Sequence, residues 1–324
     1  MLSWLTDGYK AGVLTEENTG IPLSKYGSWE FIETLVKKIS MRDSFGDVLA
    51  QGLHQAADAA KGKARELITD YFDKNGQKIV FDPRIYNVNG ILYATEPRMA
   101  LPLYHEICIP VGLWDGWVKG LEGAYMSYDM LRNIGRRFWG SELTYDFSTY
   151  EGEAIAAKRI QDKIHAEECL ILCCFFYPLR SVDYTETHEG DPTIESKLYS
   201  AVTGNETDEE GLNRIGERVF NLERAVLARE DPRGKKVDEI AEFNFTVPVK
   251  GESLNPECIV PGKDGEPISK NGTVVDRDKF AKMLSEYYEL RGWDKSSGLQ
   301  TKQKLAELDL EDIAGDLAQR GLVA

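Results

Sequence analysis

Apolar residues recur at helical spacing almost from the first residue. Trp4, Leu5, Tyr9 and Val13 fit one helix, and Gly12 and Gly20 punctuate the turn region that follows. Ser28 opens a second helix whose Ile32, Leu35, Val36 and Ile39 form an apolar stripe. A third is predicted from Ser44 to Ala60, with Val48, Leu49, Leu53 and Ala56 turned inward. Residues 73–117 differ: Asn75-Gly76, Asp82-Pro83, Asn89-Gly90, Glu96-Pro97 and Pro102 are turn signals around short apolar pieces such as Ile91-Leu92-Tyr93-Ala94. They predict extended segments or a loop-rich wall, with a domain boundary near residue 78.

Helical spacing resumes at Tyr150. Ala154, Ile155, Ala157, Ile160 and Ile164 line one face, with Lys158, Arg159, Asp162 and Lys163 opposite. The most hydrophobic run follows, Cys169 to Tyr177, stopped by Pro178, and is expected to be buried. An acidic, turn-rich excursion occupies 181–210. Leu212, Ile215, Val219, Leu222 and Val226 then predict a helix over 211–230, and 231–279 reads as a long ordered loop. Short helices close the chain, one of them capped by Thr301. The pattern is mainly α and multihelical, divided into helical domains over 1–78 and 79–324.

Composition narrows the function. Lys and Arg number 39 against 54 Asp and Glu, a formal charge of −15 that repels phosphate backbones and argues against nucleic-acid partners. No apolar run reaches the ~20 residues of a membrane span. Met1-Leu2-Ser3-Trp4 lacks a basic-then-apolar leader, so the expected location is cytoplasmic. Five cysteines, with Cys169, Cys173 and Cys174 crowded together, read as reduced thiols or metal ligands. Phosphate-loop, dinucleotide, zinc-protease and nucleophile-elbow signatures are absent. A thiolate in apolar surroundings suits an iron–sulfur cluster, although a free cysteine also packs as a small hydrophobe.

Three stretches carry a family resemblance. Gly216-Glu-Arg-Val-Phe-Asn-Leu-Glu-Arg-Ala225, Tyr287-Tyr-Glu-Leu-Arg-Gly-Trp-Asp294 and Glu168-Cys-Leu-Ile-Leu-Cys173 resemble the C-terminal half, helical domains 2 and 3, of the tungsten-containing aldehyde:ferredoxin oxidoreductases. The last of these matches the family's Asp-x-x-Gly-Leu-Cys. The resemblance implies a mainly α fold like the family's C-terminal domains. It also implies a tungsten (or molybdenum) bis-pterin beside a [4Fe–4S] cluster, and oxidation of aldehydes to carboxylates with ferredoxin as electron acceptor. By position, Cys173 is similar to the last cluster ligand, Glu168 to the acidic residue that holds a pterin, and Leu172 to its neighbour. His105 lies near the family's active-site histidine, and Arg98 offers a guanidinium to a pterin phosphate.

Two departures matter. Ile171 stands where the family has glycine, and these 324 residues contain no Cys-x-x-Cys-x-x-x-Cys group. One matching thiolate does not hold a four-iron cluster. The implied activity on an aldehyde or oxo substrate therefore requires an N-terminal half or subunit carrying the remaining cysteines, and the surface around Cys173 and residues 91–105 is expected to be its interface. The rival readings are a noncatalytic helical scaffold subunit of the same descent and a related low-potential acyl thioester reductase.

Overall fold

The computed structural model describes the chain except residues 61, 69–71, 75, 78, 98–100 and 253. It divides into two compact units, Met1–Ile79 with Ala241–Phe243, and Val80–Ile240 with Asn244–Ala324. The first unit holds α1 (Leu2–Lys10), α2 (Glu16–Thr19), α3 (Trp29–Ser40), α4 (Phe45–Ala50), α5 (Leu53–Ala60) and α6 (Lys63–Glu66). Trp4, Leu5, Leu14, Phe31, Leu35 and Leu49 build its core, and the Trp4 indole donates to the Ala64 carbonyl at 2.8 Å. Ser28 caps α3 as its sequence predicts, but Phe31 and Leu35 turn inward while Ile32 and Val36 are exposed. The predicted helix over 44–60 is two helices. Gly52 breaks it at φ +101°, a backbone conformation that side chains resist.

The second unit continues with α7 (Asn89–Thr95), α8 (Leu101–Val118), α9 (Tyr128–Ile134), α10 (Glu153–Cys169), α11 (Ile194–Thr203) and α12 (Glu209–Glu230). Then come α13 (Phe243–Thr246), which begins at the unit boundary, α14 (Arg277–Arg291), α15 (Lys302–Glu307) and α16 (Glu311–Gln319). Strands β1 (Ile259–Pro261) and β2 (Pro267–Ser269) pair antiparallel with Val260 opposite Ile268. The fold is mainly α. Among the described residues, no helix is long and apolar enough to cross a membrane.

Among the described residues, the predicted loop-rich wall is irregular before α7 and at Glu96 and Pro97, and helical in α7 and α8. Ile91–Ala94 form a wholly buried helix, and Pro102 sits in the first turn of α8, where a missing N–H costs little. Ile91–Glu96 are buried and form no open face. The acidic excursion contains α11, whose Glu195 and Ser196 are buried, and 231–279 contains the hairpin.

Helix α10 is the unit's axis. The sequence assigns Asp162 and Lys163 to a solvent face, yet both are buried, as are Gln161, His165 and Glu167. The reason is packing on both sides: α7 and α8 contact α10, and so do α12 and α14. Gln161, Asp162 and Lys163 find partners on α14 and α11. Arg291 pairs with Asp162 and donates to Gln161 at 2.8 Å, Tyr287 donates to Gln161 at 2.5 Å, and Lys163 meets Glu195 at 2.8 Å.

The two long motifs supply this framework. Gly216 lets α12 touch α10, since a Cβ there would stand 1.7 Å from the Asp162 carbonyl oxygen. Asn221 accepts from the Trp293 indole at 3.0 Å, and Arg224 forks onto Asp238 at 2.5 and 2.7 Å. Tyr288 donates to the same Asp238 at 2.6 Å. Removing one member of such a buried ion pair strands the other, at about 3–5 kcal/mol.

Helix α10 ends in a Schellman turn. The Leu172 N–H donates to Glu167 O and the Ile171 N–H to Glu168 O, both at 3.1 Å, which leaves Ile171 at φ +58°. That position normally takes glycine, because a β-branched side chain is crowded there. Ile171 is 91% exposed, so its side chain recovers little by packing. Ile171→Gly is expected to stabilise the chain by about 1 kcal/mol, read as a higher urea midpoint. An unchanged or lower midpoint would show that the isoleucine carries no backbone strain.

Candidate functional site

The turn after α10 presents the predicted site. The Cys173 carbonyl accepts from the Phe176 and Tyr177 N–H groups at 2.9 and 3.0 Å, which fixes the turn. The expectation of burial for Cys169–Tyr177 is wrong: Cys169, Ile171, Cys173, Phe175 and Phe176 are exposed. The apolar run does not enter the core because the core around α10 is already filled by its helical neighbours. Phe175 and Phe176 remain about 70% exposed (70% and 72%), so an apolar patch surrounds the thiol.

The structure brings three predicted residues to one place. Glu168 is exposed on the last turn of α10, Leu172 is half-buried, and Cys173 is exposed. Arg98 lies outside the described residues. His105, on α8, is joined to this turn through Phe175, whose ring centre stands 5.0 Å from the imidazole; Phe81 meets the imidazole edge-on at 5.7 Å. His105, Phe81, Tyr86, Cys108, Phe175 and Asn255 line a cavity of about 290 Å³. The His105 Nδ1 is buried with no hydrogen-bond partner among the described residues. Burial, with the Arg180 charge second, lowers its pKa, so the ring is neutral near pH 7 and Nδ1 or Nε2 can accept a proton.

Sequence reasoning missed the buried charges next to His105 and at the end of α10. Glu106, next to His105, is fully buried and pairs with Arg180, which follows the Cys173 turn. Desolvation nevertheless pushes the Glu106 carboxyl up to about 7, against the pull of Arg180. Glu167 is buried with neither oxygen hydrogen-bonded among the described residues; burial first, then Glu106 and Glu195, push it well above the carboxylate range. The adjacency of Glu106 to a histidine was the only signal available. A larger cavity, about 430 Å³, is lined by Arg132, Arg136, Arg137 and Arg180. Arg132 meets Glu142 and Arg137 meets Glu189 there, and none of the predicted site residues lines it.

A third group sits one turn before Glu168. His165 Nδ1 lies 2.7 Å from the Gln161 carbonyl, and its Nε2 lies 3.2 Å from Glu223 and 3.9 Å from Glu96. Burial alone would lower this imidazole; the two carboxylates outweigh it and raise the pKa to about 9.

The fit to an iron–sulfur cluster is partial. Four thiolates are needed. Only Cys169, Cys173 and Cys174 lie at the turn, Cys108 and Cys258 being buried elsewhere. The chain's own residues therefore fit one side of such a centre and not the whole of it.

Glu106 and Glu252 give stability a defined pH dependence. Burial raises both to about 7 from an ordinary 4.5. Between those values the folded chain keeps protons that the unfolded chain releases, so stability falls as pH rises and the loss is complete above about 7. Urea titrations are expected to show a lower midpoint at about pH 8 than at about pH 5, with a shallower decline in Glu106→Gln. A midpoint that rises over this window would contradict the assignment.

Comparison with known proteins agrees with the motifs. The family model for aldehyde ferredoxin oxidoreductase, domains 2 and 3, matches residues 1–310. The tungsten-containing aldehyde ferredoxin oxidoreductases of Pyrococcus abyssi and Pyrococcus horikoshii are each 25% identical, over 314 and 311 residues, covering 94% of this chain and 41% of each relative. The chain thus spans less than half the length of these relatives. Among solved structures, the active site complex BamBC of benzoyl coenzyme A reductase with 1,5-dienoyl-CoA shares the fold. Its TM-score is 0.63 at 18% identity, covering 100% of this chain and 45% of that one. With a helical axis, two long motifs and a family model all in register, the chain belongs to the aldehyde ferredoxin oxidoreductase family, of which it carries domains 2 and 3.

Proposed function

We propose that this chain is the C-terminal part or subunit of a tungstopterin and iron–sulfur oxidoreductase, completed by an N-terminal half. The observation that carries this reading is the exposure of Cys173 within an apolar turn at the end of a buried helix. A rigid helix that delivers a thiol and three bulky apolar side chains to solvent suits a centre shared with a second polypeptide. We assign Met1–Ile79 to the family's domain 2 and the unit from Val80 to its domain 3. The reduced thiols fit a cytoplasmic protein.

In this reading Cys173 provides one cluster ligand, and Glu168 accepts from the N–H groups of a pterin beside Leu172. A bound tungsten bis-pterin with its [4Fe–4S] cluster would supply oxo transfer and one-electron exit to ferredoxin. The chain's own contribution is local. The aromatic cavity takes the apolar part of an aldehyde and limits water, and neutral His105 accepts or returns a proton at its unpartnered Nδ1. Glu106 and Arg180 brace α8 against the segment that follows the Cys173 turn. The same cavity suits the acyl group of a thioester. The fold shared with the benzoyl coenzyme A reductase complex supports low-potential reduction of the acyl group of an aromatic acyl thioester as the second reading.

Co-expression with an N-terminal half bearing Cys-x-x-Cys-x-x-x-Cys tests the proposal. The purified complex is expected to contain tungsten or molybdenum and about four irons per cluster. Cys173, labelled readily by maleimide in the lone chain, is expected to become protected, and Cys173→Ser to lose most of the iron. A complex free of these metals, with Cys173 still reactive, would leave the scaffold reading in its place.

A further inference from the structure

We propose that Glu96, His165 and Glu223 form a binding site for one divalent first-row cation, of the zinc class, that ties α7, α10 and α12 together. One donor atom from each lies within 4.8 Å of the other two. Four-coordinate zinc with bonds of about 2.0–2.2 Å holds its ligands about 3.4 Å apart. The observed separations of 3.2 Å and 3.9 Å from His165 Nε2 bracket that value, and with the third pair within 4.8 Å, shifts of about 1.4 Å or less close the site.

The surrounding hydrogen bonds prepare these atoms for a cation. A carbonyl only accepts, so the 2.7 Å contact to Gln161 O puts the His165 proton on Nδ1. Nε2 then faces the two carboxylates, where its own proton is the one a cation would displace. This orientation of a ligating histidine by a backbone carbonyl is the usual outer support of a metal site. The Gln161 amide also donates to Glu96 Oε1 at 2.6 Å, leaving Oε2 turned toward the imidazole. One residue thus orients two of the three ligands.

Charge points the same way. Three acceptor atoms converge in a place where His165 and Glu96 are each about 2% exposed. Without a cation, a second proton on the imidazole, beside a Glu96 carboxyl whose pKa burial raises, offsets this charge, and a cation would take its place. A proton serves one carboxylate at a time, whereas a divalent ion matches both charges and leaves a fourth position for water. Glu223, 34% exposed along its side chain, provides the way in. Imidazole with two carboxylates is a borderline donor set that favours zinc, iron(II) or manganese over magnesium. The close approach at Gly216, two turns before Glu223, sets α12 against α10 at the spacing the site needs.

The site uses none of the residues assigned to the proposed redox centre and stands whether or not that reading holds. The test uses the 324-residue chain, stripped with a chelator and titrated with zinc or cobalt alone. One zinc per chain is expected, with a raised melting temperature and a cobalt absorption spectrum of low symmetry. His165→Gln and Glu223→Gln are each expected to weaken binding at least tenfold. Glu223→Gln, at the more exposed position, keeps the test valid if the buried variant fails to fold. Replacement of Cys169, Cys173 and Cys174 by serine is expected to leave one zinc bound. No zinc on the wild-type chain, or zinc that survives Glu223→Gln but disappears with the three cysteines, would overturn the proposal.

Discussion

The buried polar face of α10 is the constraint on which the second unit rests. Taking Asp162, Gln161 and Lys163 out of water costs several kcal/mol per charge unless each finds a well-aligned partner. Arg291 and Tyr287 from α14 and Glu195 from α11 provide those partners. Because one wrong register would strand a charge, the network admits few alternative packings. The glycine at 216 allows the close approach, the Asn221–Trp293 contact ties α12 to the C-terminal segment, and Arg224–Asp238 ties it to the loop that follows α12.

A helix held this firmly can carry an exposed reactive turn at its end. The last buried residue, Glu167, is followed at once by Glu168 and Cys169 in solvent, and then by a turn anchored on the Cys173 carbonyl. Stability and presentation are thus separated within a few residues. The fixed helix supplies precision, while the thiol, the carboxylate and the aromatic rings stay open to a second surface. Ile171 marks the cost of this arrangement, a β-branched residue in a conformation that glycine adopts freely.

Much of the architecture was legible in the sequence. The helix over 211–230 and the caps at Ser28 and Thr301 follow local rules, and they hold, although of the stripe that predicted the helix only Leu212 is buried, with Ile215, Leu222 and Val226 exposed. Burial on α10 was not legible. Charges at helical spacing look like a solvated face until their partners are known, and Arg291 lies 129 residues from Asp162. The apolar run from Cys169 misled in the opposite sense, because hydrophobicity does not distinguish a core strand from a docking surface. The cluster of Glu96, His165 and Glu223 is likewise invisible to motif reading, its members being drawn from three helices or their ends.

Amide hydrogen exchange on the lone chain tests the central claim most directly. If α10 is a strut locked by buried charge, amides over residues 157–169 exchange only through global unfolding, while those of residues 173–177 exchange orders of magnitude faster. Rapid exchange within the helix, at rates like those of the turn, would contradict the account.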